Sequence, residues 1–192
     1  MKLGVSQLWW DLRHRRHRFR QPFALLFCLV LLVVARPVLW GFVVGAPLCL
    51  LGALVRLWAA GYVRKSKVLE TRGPYSLVRH PQYLGNTLMA TGASLAVGQP
   101  LAIALWAVLF PLSYVPAIRR EDAKLHKRFG LAWEKWSAVT PAVVPLRRIP
   151  PGSGLHLKEW SLRQCCRNGE PIWLVLALVG LTYIFLAGRP AF

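Results

Sequence analysis

The stretch PQYLGNTLMATGASLAVGQPLAIALWAVLFPLSYVPAI, residues 81–118, carries no charged side chain from end to end. About 20 apolar residues cross the hydrocarbon core of a bilayer, so this stretch has the length of two crossings. Gly98-Gln99-Pro100 supplies the turn that divides them, and the segment reads as a membrane-embedded helical hairpin. Outward from it, residues 38–55 form another uncharged run, preceded by the break Arg36-Pro37 and by a shorter uncharged stretch at 21–35. Gly41 and Gly45 within that run form a small-xxx-small pair that would let a second helix approach closely, or are simply the glycines common in membrane helices. Residues 171–188 make a last apolar run, with Pro171 where a helix best tolerates proline. The expectation is an all-α fold, a polytopic transmembrane helical bundle of about five spans. It forms one integral membrane domain over 1–192, with an extra C-terminal span at about 171–188.

The charge pattern orients this map. Lys and Arg number 25 against 7 acidic residues, a formal net charge of +18. A balance of that kind in a soluble chain would point to nucleic acid or another anionic surface. Here the basic residues fall in blocks between the apolar runs: 6 before residue 21, 5 in 61–80 and 11 in 118–171. With five spans all three blocks lie on one side, which the positive-inside rule makes the cytoplasm. The N-terminus and both polar loops are therefore expected on the cytoplasmic face of a bacterial-style inner membrane or an internal membrane, with membrane lipids as neighbours and no nucleic acid as partner. Arg56, near the end of the second span, is expected to snorkel toward that face. The basic run Arg13-His14-Arg15-Arg16-His17-Arg18 mimics the start of a signal peptide, but no small-residue cleavage site follows, so the first span is read as uncleaved. Four cysteines, two in apolar runs and two adjacent at 165 and 166, give neither a disulfide framework nor a metal-ligand spacing.

Two polar stretches hold the residue types that do chemistry. The first ends Gly73-Pro74-Tyr75-Ser76-Leu77-Val78-Arg79-His80-Pro81-Gln82-Tyr83-Leu84-Gly85. Pro81 opens a helix, which puts Arg79 and His80 at its N-terminus, where free backbone N–H groups and the dipole favour an anion. Tyr83 and Gly85 lie on the first turns, the glycine leaving room for a flat ligand. The second stretch runs from Arg119 to Trp136 and brings Glu121 and Asp122 side by side at a membrane end, where an unpaired carboxylate is costly. Arg119, Arg120 or Arg79 are candidates to hold them. Leu125, Phe129, Trp133 and Trp136 recur at helical spacing as one apolar face, the pattern of a helix lying on a bilayer.

In this order, and separated by one hairpin, the two stretches resemble the isoprenylcysteine carboxyl methyltransferase and phospholipid methyltransferase group of membrane enzymes. The resemblance covers about 50–146. It is carried by GPYxxVRHPxYxG at 73–85 and by a pattern from Arg119 through Glu121, Leu125, Phe129-Gly130, Trp133 and Trp136 to Pro141 and Pro145. Asp122 stands where the family usually has a second Glu, and Trp133 and Trp136 where tyrosines are common. The resemblance implies S-adenosylmethionine as methyl donor, bound by Arg79, His80, Pro81, Tyr83, Gly85, Glu121 and Asp122. It also implies a lipid-embedded or lipidated acceptor, small molecule or peptide, on the cytosolic face. Arg120, His80 and Glu121 are the candidate catalytic groups, and Trp133, Trp136 and Arg147 the candidate acceptor-binding groups. A carboxylate acceptor needs only a positioning cation such as Arg120, Arg147 or Arg148. An amine needs a base, for which His80, His126 or Glu121 would serve. Proximity and electrostatics can supply most of the rate of such an in-line transfer.

Two other functions fit parts of the pattern. Membrane sterol reductases carry a similar RHPxYxG segment, which would replace the donor with NADPH. A non-catalytic adaptor whose basic face binds anionic lipid would account for the charge, though not for Glu121-Asp122 beside the RHP segment. Residues 147–171 have no chemical assignment beyond a possible lid over the pocket.

Overall fold

The computed structural model describes residue 33 and residues 35–63, 68–145 and 159–188. Among them are six α-helices, one 3-10 turn and no strand: α1 (Leu39–Tyr62), the turn Gly73–Ser76, α2 (Pro81–Val97), α3 (Pro100–Phe129), α4 (Leu131–Val139), α5 (Leu162–Arg167) and α6 (Pro171–Gly188). The expected span at 21–35 and the N-terminal basic block lie outside the described residues, apart from Val33 and Ala35.

The chain is an all-α membrane bundle. Helices α1, α3 and α6 are each long and apolar enough to cross a bilayer. Helix α2, expected as a crossing of its own, has 17 residues, or roughly 25 Å at a 1.5 Å rise, somewhat short of the hydrocarbon thickness. It packs along α1. The hairpin turn forms where the sequence places it: α2 ends at Val97, Gly98 takes φ +72 as C-cap, and Pro100 opens α3.

The structure differs from expectation in three places, two of them helix boundaries with a physical reason. Helix α3 does not stop near Ile118 but continues to Phe129, since residues 119–129 contain no Gly or Pro and the first breaker is Gly130 at φ +51. Helix α1 runs past Val55 to Tyr62 because Arg56 is not at its end. Instead of snorkelling, Arg56 is 7% exposed and paired inside the bundle: its Nε and Nη2 donate to Glu170 Oε2 at 3.0 and 2.6 Å. The third difference is a short helix, α5, between the basic segment and α6.

The tightest contact is between α1 and α2. A Cβ on Gly45 would meet Gly92 O at 2.4 Å and Ala96 N at 2.5 Å, and one on Gly92 would meet Cys49 N at 2.3 Å. The backbones touch directly, as the small-residue spacing predicts. Cys49, Ala53, Ala96 and Val97 form the core there, joined by Ala177, Leu181 and Ile184 of α6. Antiparallel packing brings residues 36–38 and 97–99 to one end of the bundle, where Arg36 N donates to Val97 O. The C-terminus of α1, the start of α2, the far end of α3 and the start of α6 gather at the other.

Candidate functional site

At that second end the backbone of 79–80 is held in place before any side chain contributes. Arg79 N donates to Pro141 O at 2.8 Å and His80 N to Ala142 O at 2.9 Å, so the segment after α4 pairs with the entry to α2. The 3-10 turn before it is closed by Ser76 Oγ donating to Gly73 O, and Gly73, at φ +55, lies against the ring of Tyr62. Pro81 then starts α2 with its N–H already absent, at the position where a helix has no use for one.

Asp122 joins the two polar stretches. Its Oδ2 accepts from Arg79 Nη2 at 2.9 Å and its Oδ1 lies 2.9 Å from His80 Nε2. Arg79 Nη1 also donates to Ser137 O and Thr140 O, so one guanidinium ties α3, α4 and the segment after α4 to the start of α2. His80 is 4% exposed and Arg79 and Asp122 are largely buried, which makes these charge-assisted bonds the strong kind. The holder of the acidic pair is thus Arg79 with His80, and it holds Asp122. Glu121 points away, its side chain half exposed, with His80 Nδ1 at 3.9 Å. Arg119 and Arg120 are exposed on α3, and among the described residues no ion pair ties either to the cluster.

Aromatic rings surround this polar core. Tyr83 lies 5.6 Å from the His80 ring and meets Tyr114 of α3 edge-on at 5.3 Å. Trp133 lies under the Arg79 guanidinium at 5.7 Å and against His126 at 5.0 Å, while His126 Nε2 is 2.7 Å from Glu134 Oε1. Trp136 Nε1 donates to Tyr75 O, and its ring packs with Tyr62 and Tyr75. Burial pushes the Tyr75 phenol far above its usual range, with the nearby Glu121, Glu70 and Glu170 charges adding to the effect, so it stays neutral. Five buried side-chain polar atoms have no hydrogen-bond partner among the described residues: Trp58 Nε1, Ser94 Oγ and Trp106 Nε1 elsewhere in the bundle, and Arg79 Nε and Trp133 Nε1 at this cluster.

Among the residues singled out in the sequence, Arg79, His80, Pro81, Tyr83, Asp122 and Trp133 therefore come together, with Glu121 at the rim. Gly85 does not join them. The space it leaves is filled by α1, since a Cβ there would lie 2.6 Å from Arg56 Cγ and 2.7 Å from Gly52 O; its role is helix packing rather than room for a ligand. Trp136 belongs to the aromatic cluster beneath the 3-10 turn. Arg147 and Arg148 lie outside the described residues. Of the segment read as a lid, 159–170 caps α1: Trp160 Nε1 donates to Leu57 O, Ser161 N to Gly61 O, and Asn168 Nδ2 to Ala60 O and Val63 O. The bonds to Ala60 O, Gly61 O and Val63 O occupy carbonyls that a helix C-terminus leaves without partners. No sequence signal marks Thr140, Ala142 or Tyr114, and Pro141 stands out only as part of a spacing pattern.

Residues 40–132, from α1 to the start of α4, match the family described as phospholipid methyltransferase. The matched segment makes up just under half of the chain. The family region contains the Arg79–His80–Asp122 cluster and ends just before Trp133. Among curated relatives, the cobalt-zinc-cadmium resistance protein CzcN of Cupriavidus metallidurans is 40% identical over 129 residues, 65% of this chain and 58% of that protein. The protein-S-isoprenylcysteine O-methyltransferase of Schizosaccharomyces pombe is 30% identical over 82 residues, 43% of this chain and 35% of that one. The delta(14)-sterol reductase LBR of Gallus gallus is 32% identical over 102 residues, 53% of this chain but 15% of that protein. The chain spans less than two thirds of the length of each of these relatives. No solved structure matches it.

Proposed function

We propose that this chain transfers a methyl group from S-adenosylmethionine to an acceptor borne by a lipid or lipidated molecule, at the cytoplasmic face of a membrane. The observation that carries the reading is a set of unmet bonding capacities around one ion-paired cluster. Arg79 Nε and Trp133 Nε1 are buried donors without acceptors, and Glu121, next to Asp122 in sequence, presents a half-exposed carboxylate at the rim, 3.9 Å from His80 Nδ1. Those features fit the donor's own groups. Its carboxylate would accept from Arg79 and Trp133, its ribose hydroxyls or ammonium would donate to Glu121, and Tyr83 offers an aromatic face beside His80. Bound there, the donor would supply an electrophilic methyl group on a sulfonium.

The protein's part is to bind, orient and exclude water. Asp122 and the Pro141–Ala142 backbone fix Arg79 and His80, so little reorganisation remains when a ligand arrives. Arg120, exposed on α3, and the undescribed Arg147 are the cations offered for positioning an anionic acceptor. An amine acceptor would rely on Glu121, the most accessible carboxylate of the cluster, as base. The asymmetry of basic residues supports a cytoplasmic position for this end.

Titration of detergent-purified protein with labelled S-adenosylmethionine, and separately with NADPH, tests the proposal. Saturable binding of the first, weakened about tenfold or more by Glu121→Gln through loss of a charged hydrogen bond, is expected. Binding of NADPH alone would favour the reductase-like alternative, and binding of neither would leave the adaptor.

A further inference from the structure

Beyond the family segment, the start of α6 reaches back into the bundle. Arg56 lies between two partners there: Glu170, which accepts from Nε and Nη2, and Asn86 on α2, whose Oδ1 accepts from Nη1. Its guanidinium also lies 4.9 Å from the Trp173 ring. Its stem is the surface on which α2 rests, because Arg56 Cγ is the atom nearest the missing Cβ of Gly85. Asn86 is one turn beyond Gln82 and Tyr83, so the same rotation of α2 that Arg56 resists would move Tyr83 and His80.

We infer that Glu170 is a positioning residue, which acts through Arg56 and Asn86 to set α2, and with it His80 and Tyr83, against Asp122. The inference rests on the methyl-transfer reading only for its functional consequence. The geometry itself predicts a change in His80 burial whatever the ligand. A buried ion pair can often be replaced by apolar side chains of similar volume without loss of stability, whereas removing one partner leaves an uncompensated charge. This separates positioning from plain cohesion. The double variant R56M/E170M keeps the packing of α1, α2 and α6 but removes the bond to Asn86. Asn86→Ala removes that same bond and leaves the ion pair intact.

The full-length protein in detergent would be treated with diethyl pyrocarbonate, and modification at His80 followed by mass spectrometry, alongside thermal unfolding and S-adenosylmethionine-dependent methyl transfer. Both variants are expected to unfold near the wild-type temperature while His80 is modified about tenfold faster, a small rise in the open population. Where the wild type transfers methyl groups, both should be about 100-fold slower, the scale of an ångström-sized misplacement. Wild-type-like modification of His80 in a stable R56M/E170M and in Asn86→Ala would overturn the relay and leave the proposed function standing. If the wild type neither binds nor transfers methyl groups, the labelling alone still decides the relay.

Discussion

Helices α1 and α2 touch backbone to backbone, while α3, of 30 residues, buries only Ala102 and Ala117. The first pair is a scaffold: glycines at 45, 52, 85 and 92 remove the side chains that would hold the helices apart, and dispersion contacts accumulate over the whole length. The second presents Leu101, Val108, Leu112 and Val115 outward and stacks Trp106, Phe110 and Tyr114 at fourth-residue spacing toward Tyr83. What fastens α3 to the scaffold at the functional end is polar, the Asp122 carboxylate on Arg79 and His80. A packed seam gives rigidity, and a charged clasp at one end of a sparsely packed helix concentrates function there.

Breaking the scaffold should have the largest effect. Gly92→Val places branched carbons on the Cys49 backbone, which cannot yield, and the cost should reach or exceed the top of the usual range for overpacking, about 1–3 kcal/mol. Loss of folded, monodisperse protein on size exclusion would show it. Next comes the clasp. Asp122→Ala leaves Arg79 and His80 facing each other without the carboxylate, and about 2–3 kcal/mol of destabilisation is expected, below the full buried-pair figure because the pair retains some exposure. Thermal unfolding with Asp122→Asn as comparison measures it, and donor binding should fall in both. Glu121→Gln, at the half-exposed rim, should shift unfolding by less than about 0.5 kcal/mol while still impairing donor binding. Leu112→Ala, on the outward face of α3, should change both within about 0.5 kcal/mol.

The smallest effect is chemical. Burial raises the Cys165 thiol pKa, with Cys166 and Glu170 contributing, so less thiolate is present at any given pH. Maleimide at pH 8 should therefore label the exposed Cys166 and spare Cys165 in folded protein, and label both after denaturation.

Much of this was legible in the residues. The uncharged run 81–118 and its Gly98-Gln99-Pro100 turn gave the hairpin, because hydrocarbon thickness and turn chemistry act locally. The Gly41/Gly45 spacing anticipated a close helix contact. Pairing across long separations was less legible. Arg56 reads as a residue near a span's end until Glu170, 114 positions away, is found against it. Gly85 reads as space until α1 is found occupying it. At 119–122 four charged residues offer several pairings, and only the helical phase of α3 decides that Asp122 turns inward and Glu121 outward. The segment at 159–170 carries no motif because its Trp160 and Asn168 side chains bind main-chain carbonyls of α1, acceptors that leave no mark in the sequence.

Everything functional depends on the start of α2 and the far end of α3 meeting at one end of the bundle. Cysteines at positions 80 and 122, in a chain whose native cysteines are replaced by serine, can be bridged in intact membranes by a short bifunctional thiol reagent. Efficient intramolecular bridging, detected by mass spectrometry of the joined peptides, is the predicted result. Absence of any bridge, while a control pair at the hydrogen-bonded positions 36 and 97 joins readily, would contradict it.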